Sequence, residues 1–110
     1  MPDNPSKNKR SVQLDLNNEV FQAGWLSLDK DERDRVSATL KKVRQLTWDQ
    51  VYRDQGLKWE KIVSVTPPTG IDAIYSFRLS QSRRGTAYRE GNFMRLLTVE
   101  QDHDSTYGKK

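Results

Sequence analysis

The stretch IYSFRLSQSRRGTAYREGNFMRLLTVE, residues 74–100, decides the fold of this chain. Residues 75–80 alternate, with Tyr75, Phe77 and Leu79 on one face and polar residues on the other, which is the period of a β-strand with one buried face. Further along, Gly91 and Asn92 form a pair that favours a two-residue hairpin turn. That turn sets Tyr88 opposite Arg95 on the two strands that it joins. We therefore predict three consecutive antiparallel strands.

The loop between the first two of these strands fixes which side chains share a face of the sheet. A three-residue loop at residues 81–83 assigns to one face Arg78, Arg84, Thr86, Tyr88 and Arg95. The opposite face then carries a set of residues suited to a core: Tyr75, Phe77, Gly85, Ala87, Met94 and Leu96. The same register puts Phe93, Leu97 and Val99 on the arginine face, so we expect the last strand to be central in the sheet.

The same stretch concentrates the positive charge of the chain. Between residues 76 and 97 its five arginines meet a single acid, Glu90, which leaves a net charge of +4, equal to the formal charge of the whole chain. Arginines interleaved with the rings of Phe77, Tyr88 and Phe93 suit single-stranded nucleic acid, whose phosphates are anionic and whose bases stack on aromatic rings. We expect an open, cationic sheet face that binds RNA.

The N-terminal half of the chain is predicted to form a short strand and then helices. Val12, Leu14 and Leu16 alternate with polar residues, as in a half-buried strand. Helix starts follow at three groups of capping residues: Asn17 or Asn18, then Asp29 with Glu32 in capping-box spacing, then Thr47. The first two helices form a hairpin. The sequence thus predicts an α+β domain, with an N-terminal helical hairpin packed on one face of a twisted, mostly antiparallel sheet of four or five strands.

A further strand is predicted between the helices and the 74–100 stretch. Residues 59–65 alternate, with Trp59, Lys61, Val63 and Val65 on one side. The following Pro-Pro-Thr-Gly sequence at residues 67–70 is typical of a turn.

Composition excludes several classes of protein. A length of 110 residues supports one domain, and no apolar run approaches the ~20 residues that cross a bilayer. The chain has no cysteine and one histidine, which leaves thiolate and imidazole zinc sites without ligands. The polar first ten residues lack the apolar segment of a secretion signal. We expect a flexible arm at residues 1–11, a single domain at residues 12–108, and a soluble cytoplasmic protein without metal or cofactor.

Four short motifs carry a resemblance to a known family: IYSFRLS at residues 74–80, SRRGTAY at 82–88, LLTV at 96–99 and DHDSTY at 102–107. Following a strand and a helical hairpin, they resemble the RelE/ParE toxin superfamily, closer to its RelE side. The resemblance implies a RelE-like fold over residues 12–108 and a toxin of a type II toxin–antitoxin system. RelE-like toxins are small, metal-independent endoribonucleases that cut mRNA on the ribosome, and a cognate antitoxin protein neutralises them.

The resemblance also implies roles for individual residues. Arg84 matches the arginine that holds the scissile phosphate, and Arg78 matches a basic position in the preceding strand. His103 and Tyr107 fall where the family has a terminal basic or histidine residue and a tyrosine. We assign further RNA contacts to Lys58, Lys61, Arg83, Tyr88 and Arg95. The chain departs from the family where arginines are frequent, at Asp102, Asp104 and Ser105.

Cleavage of RNA through its own 2′-hydroxyl needs a base, a group that stabilises the dianionic phosphorane, and an acid for the leaving 5′-oxygen. Arginine suits the stabilisation of the phosphorane because its planar guanidinium matches phosphate geometry and stays charged. His103 titrates near neutral pH and can act as base or acid, with Asp102 or Asp104 orienting it or raising its pKa. Tyr107 can stack on a nucleobase or donate a proton.

Two other functions stay open at the level of sequence. A ParE-like protein of the same fold inhibits a topoisomerase by protein contact and does not need His103. A degenerate, non-catalytic module binds RNA or another partner without cutting it, and the acids beside His103 favour this alternative. Arg89, Glu90 and Arg95 also suit cross-strand ion pairs rather than contacts with RNA.

Overall fold

The computed structural model describes residues 10–101 and shows an α+β fold, which confirms the predicted class at this level. Its three helices are α1 (Glu19–Leu26), α2 (Lys30–Arg44) and α3 (Trp48–Arg53). Its five strands are β1 (Gln13–Asp15), β2 (Glu60–Lys61), β3 (Tyr75–Arg78), β4 (Arg83–Glu90) and β5 (Phe93–Gln101). Of the predicted N-terminal arm, only Arg10 and Ser11 lie within the described residues. None of the helices described in residues 10–101 is long and apolar enough to cross a membrane.

The strands form one mixed sheet in the order β1-β5-β4-β3-β2. β1 pairs with β5 in parallel, with Leu14 beside Met94, and the other pairs are antiparallel. β5 lies inside the sheet between β1 and β4, as predicted. The two edges are the short strands β1 and β2, and short edges offer little backbone for pairing with another chain.

Each helix begins at a capping residue that the sequence predicts. Asn18 accepts hydrogen bonds from two backbone N–H groups of α1, at 2.9 and 3.0 Å. Asp29 accepts one from the N–H of Glu32 at 2.9 Å. Thr47 forms a complete capping box with Gln50. These bonds satisfy donors that the first turn of a helix otherwise leaves open, so the helix starts are set locally.

One hydrophobic core lies between the helices and one face of the sheet. The helices contribute Phe21, Val36, Leu40, Val43, Trp48 and Val51, and the strands contribute Phe77, Ala87, Met94 and Leu96. The indole Nε1 of Trp25 donates to Ser37 Oγ at 3.2 Å and links α1 to α2 in the predicted hairpin. The opposite sheet face, called the open face below, carries Asp15, Glu60, Ser76, Arg78, Arg84, Thr86, Tyr88, Glu90, Phe93, Arg95, Thr98 and Glu100.

Both hairpins keep the side chains of β4 on the faces that the sequence predicts. Tyr88 lies opposite Arg95, as expected for a turn at residues 91–92. In the first hairpin Arg84 lies opposite Arg78, whereas the predicted loop at residues 81–83 would place it opposite Ser80, so the register is shifted by two residues. An even shift of register leaves every side chain on the same face, whereas an odd shift would turn the strand over.

A β-bulge in β5 corrects the prediction for Val99. The pairing with β4 skips Leu97, an extra residue between Leu96 and Thr98. The bulge reverses the alternation of the strand, so Val99 turns to the helix side instead of the arginine face. There it packs so closely on α1 that a Cβ added to Gly24 would lie 3.3 Å from the Cβ of Val99.

The predicted strand at residues 59–65 is much shorter than expected. Only Glu60–Lys61 pairs with β3. One further backbone hydrogen bond follows, from Ile62 N–H to Ile74 O at 2.8 Å. Val63 is 87% exposed and Val65 is also exposed. The sequence alternation of residues 59–65 is typical of a strand, but most of this segment has no partner strand in the described chain.

Candidate nucleic-acid interface

Two arginines lie side by side at one end of the open face, where β3 turns into β4. Arg78 is directly opposite Arg84, an arrangement in which Cβ atoms are about 4.5–5.5 Å apart. Arg84 Nη2 donates to Ser76 Oγ at 2.8 Å, and Arg78 Nη1 lies 3.4 Å from Gln81 O. Both arginines are half-buried. Like charges directly opposite each other destabilise a sheet, and an anion shared by both removes that cost.

Hydroxyl groups and a carboxylate continue from this pair across β4 and β5. The Oγ1 atoms of Thr86 and Thr98 are 2.6 Å apart, and Thr98 in turn donates to Glu100 Oε2 at 2.9 Å. Glu100 is the residue opposite Arg84 on β5. An anion bound at the arginine pair therefore has a carboxylate nearby, which weakens the net attraction.

Arg95 lies towards the other end of the open face and is held by two acids. Its Nη1 is 2.6 Å from Asp15 Oδ2, its Nε is 2.7 Å from Glu90 Oε1, and its guanidinium lies 4.6 Å from the ring centre of Phe93. A hydrogen bond from the backbone N–H of Asn17, and then the bond from Arg95, hold the pKa of Asp15 below its usual value. The two acids raise the pKa of Arg95. The predicted RNA contact at Arg95 is thus already neutralised, while the predicted Glu90–Arg95 ion pair is confirmed.

The open face as a whole is not cationic, which corrects the prediction. Among the described strand residues it carries the arginines Arg78, Arg84 and Arg95 and the acids Asp15, Glu60, Glu90 and Glu100. Asp15 and Glu60 belong to segments outside the 74–100 stretch, and only the pairing of strands brings them beside it. Tyr88, half-buried, lies opposite Arg95 and next to its ion pairs. Positive charge on this face is therefore confined to the Arg78–Arg84 end.

Neither of the two predicted lysine contacts shares the strand face of Arg84. Lys61 is opposite Tyr75, whose ring stacks on that of Trp59 with the centres 4.7 Å apart, on the helix side of the sheet. Directly opposite residues project to the same side, so Lys61 projects away from Arg84. Lys58 is exposed in the loop before β2, where its φ of 51° marks a tight turn.

Arg83 also lies on the side of the sheet away from Arg84. It shares one face of β4 with Gly85 and Ala87, which are buried against the core. Its Nε is buried and has no hydrogen-bond partner among the residues described. Its positive charge contributes to lowering the pKa of Glu32 on α2. The adjacent side chains of Arg83 and Arg84 therefore project from opposite faces of the sheet.

Arg89 forms a contact that the sequence did not indicate. Its guanidinium carbon lies 4.6 Å from the ring centre of Trp48, its Nη1 donates to Tyr52 Oη at 2.7 Å, and its Nε donates to Gly91 O at 2.8 Å. This cation–π arrangement ties the end of β4 to α3. It replaces the cross-strand ion pair suggested for Arg89.

A buried carboxylate holds the loop next to the arginine pair, and sequence reasoning missed it. Glu32 is 9% exposed and is the buried charged residue of the described chain. Its Oε2 accepts hydrogen bonds from the hydroxyls of Ser80 and Ser82, the latter at 3.0 Å, and its Oε1 accepts one from Arg35 Nη1 at 3.1 Å. The bond from Ser80, most of all, holds the pKa of Glu32 below its usual value although burial opposes this. The capping-box spacing from Asp29 was the only sequence signal at Glu32, and it indicated a role at the start of α2. In the structure the Glu32 carboxylate binds the loop between β3 and β4.

The predicted proton-transfer residues His103 and Tyr107, with Asp102, Asp104 and Ser105, lie outside the described residues. β5 ends at Gln101, which pairs with Arg83, one position along β4 from Arg84. The described chain thus ends at the same end of the sheet as the arginine pair. Within residues 10–101 there is no group of His, Cys, Asp and Glu side chains arranged to hold a metal ion.

Comparison with known proteins adds no family to these observations. No protein-family model matches the chain, and a search of curated proteins gives no significant match.

Proposed function

We propose that this chain is a RelE-like toxin of a type II toxin–antitoxin system, a metal-independent endoribonuclease that cuts mRNA at the ribosome. The observation that carries the proposal is the Arg78–Arg84 pair on the open face. Two guanidinium groups on neighbouring strands can share the non-bridging oxygens of one phosphate through charge-assisted hydrogen bonds. The order of elements, with a strand, a helical hairpin and then antiparallel strands, supports a RelE-like fold.

In this proposal the arginines act on the phosphate, and the terminal segment moves the protons. Arg84, with Arg78, binds the scissile phosphate and stabilises the dianionic phosphorane. The 2′-oxygen attacks phosphorus and loses its proton to a base, and the 5′-oxygen leaves and gains a proton from an acid. His103 and Tyr107 are the groups proposed for these two transfers. The proposed site of action is the cytoplasm, where mRNA and ribosomes are found, and a cognate antitoxin is the proposed partner.

Expression in bacteria tests the proposal. From a tightly controlled promoter, the wild-type chain should stop growth, and Arg84→Ala should restore it. Arg44→Ala is the matched control, since Arg44 is exposed at the end of α2 and the charge change is the same. In a ribosome-containing translation mixture, Arg84→Ala should lower the rate of mRNA cleavage by about 10²–10³-fold, the usual loss for one group that stabilises a charged transition state. Equal growth arrest by wild type and Arg84→Ala would end the enzymatic proposal.

A non-catalytic RNA-binding module is the second candidate, and the acids of the open face favour it. Glu100 lies opposite Arg84, and Arg95 is bound by Asp15 and Glu90, so this face is less basic than an efficient nuclease would need. This candidate predicts salt-sensitive RNA binding with no cleaved product in the same translation mixture. A ParE-like toxin would instead cause DNA damage, leave translation unaffected and tolerate His103→Ala.

A further inference from the structure

We infer that Glu32 is a positioning residue for the arginine pair: from α2, its carboxylate fixes the β3–β4 loop so that Arg78 and Arg84 stay paired on the open face. The inference rests on the proposed function and extends it to a residue that lies on the helix side of the sheet.

The β3–β4 loop is attached to α2 at successive residues. Thr39 Oγ1 donates to the carbonyl oxygen of Leu79 at 2.6 Å. The Glu32 carboxylate accepts hydrogen bonds from Ser80 and Ser82. Residues 32 and 39 are about two helical turns apart and therefore project from one face of α2. A single rigid helix thus sets the position of the whole loop.

The loop in turn sets the arginines, because they are its nearest strand neighbours. Leu79 N–H donates to Arg83 O at 2.9 Å, which closes the loop between the two strands. Arg78 precedes this closure and Arg84 follows it, so a displaced loop displaces both guanidinium groups. A shift of about 1 Å at a reacting group is enough to cost a large factor in rate.

A charge at position 32 does more than an apolar side chain would. Taking a carboxylate out of water is costly and is repaid only by several good hydrogen bonds, so packing alone does not explain it. Arg83 leaves this loop on the helix side of the sheet, where the negative charge of Glu32 attracts it. The contribution of the Arg83 charge to the lowered pKa of Glu32 agrees with this arrangement.

The test compares Glu32→Gln with Asp31→Asn, a matched change at an exposed acid in the same turn of α2. The kcat and KM of mRNA cleavage in a ribosome-containing mixture are measured well below the melting temperature of each variant. We expect Glu32→Gln to keep its far-UV circular dichroism and KM while kcat falls by about 10- to 100-fold. Asp31→Asn should match wild type. A lower melting temperature with unchanged kcat would reveal a merely structural role and overturn the inference.

A second measurement uses the loop itself. Glu32→Ala, Ser82→Ala and the double variant form a thermodynamic cycle in which the double variant should lose no more kcat than Glu32→Ala alone. Additive losses would mean that the two residues act independently, against the inference.

Amide hydrogen exchange over residues 79–84 separates this inference from the proposed function. Glu32→Gln should exchange faster than wild type in this segment alone, and unchanged exchange would overturn the positioning role whatever the activity. Arg84→Ala is assayed alongside. If Arg84→Ala cleaves mRNA like wild type, the proposed function fails, while the exchange data still decide whether Glu32 fixes the loop.

Discussion

At the scale of single residues, the arginines of the 74–100 stretch differ in what surrounds each guanidinium. Arg84 is hydrogen-bonded to the neutral hydroxyl of Ser76, so its charge stays uncompensated by that contact. Arg95 is bound by two carboxylates, and Arg89 lies over the ring of Trp48. The same type of side chain thus provides the proposed anion site, an ion pair and an aromatic contact. The partners Trp48 of Arg89 and Asp15 of Arg95 are distant in sequence, so tertiary structure decides the role that each of these arginines takes.

Glu32 should give the protein a pH-dependent stability. Its pKa is lower in the folded state than the ordinary 4.5, so the unfolded state binds the proton more tightly. The stability that this carboxylate contributes is therefore present above about pH 4.5 and lost as the pH falls through the folded-state value. In urea denaturation, the free energy of unfolding of wild type should fall more steeply between about pH 5 and pH 3 than that of Glu32→Gln.

The remaining slope of Glu32→Gln should come from other carboxylates with lowered pKa values, among them Asp15 and Asp54. Asp31→Asn serves as the control and should keep the wild-type slope. Parallel slopes for wild type and Glu32→Gln would contradict the expected role of this carboxylate.

At the scale of elements, the helix starts depend on residues close in sequence, whereas the strands depend on pairing with distant segments. Thr47 caps α3 by accepting a hydrogen bond from Gln50 N–H, and the Gln50 side chain accepts one from Thr47 N–H, so four residues of sequence set the start. β2 depends on pairing with β3, and the apolar alternation after Lys61 stays unpaired. The bulge at Leu97 depends likewise on how β5 meets β4.

Removing the cap of α3 should destabilise the domain measurably. Thr47→Ala leaves a backbone donor of the first turn without its partner, a loss that typically costs about 1 kcal/mol of the free energy of unfolding. Urea denaturation at neutral pH measures it. Thr66→Ala, at an exposed loop position, is the matched control and should stay within about 0.5 kcal/mol of wild type. Equal effects of the two substitutions would argue against a stabilising cap.

At the scale of the whole molecule, the helices cover one face of the sheet and leave the other to solvent. The net charge of +4 does not spread evenly over that open face, because strands from both halves of the chain bring acids to it. What remains is a small basic area at Arg78 and Arg84, at the end of the sheet where the described part of β5 ends. RNA binding should accordingly involve few phosphates.

The salt dependence of RNA binding measures this directly. Each phosphate neutralised on a single strand contributes about −0.7 to the slope of log K against log salt, so an arginine pair that shares one phosphate predicts a slope of about −0.7. Arg84→Ala should bring the slope closer to zero, and Arg44→Ala should leave it unchanged. Fluorescence anisotropy with a short single-stranded RNA at several KCl concentrations gives the slope. A steep slope in both variants would indicate a binding surface elsewhere on the molecule.

Local signals predicted the helix caps, the hairpin turn at residues 91–92 and the division of β4 into two faces. Each depends on residues close in sequence. The side chains of β4 keep their predicted faces despite the different loop because the register shift is even. The candidate site was predicted less completely. Arg78 and Arg84 do lie together, but Glu32 reaches the loop between them through helix packing and Glu100 comes opposite Arg84 through strand pairing, and no local pattern indicates such contacts.

The sequence by itself determined the α+β class, the helix starts and which residues of the last hairpin face the core, because hydrophobic period and capping chemistry act over a few residues. Only the tertiary structure decided that Val99 turns inward, that acids neutralise Arg95 and that Glu32 holds the arginine-bearing loop. The physical reason is that these features arise between elements: strand order and helix docking place charges side by side, and their energies depend on distance and burial.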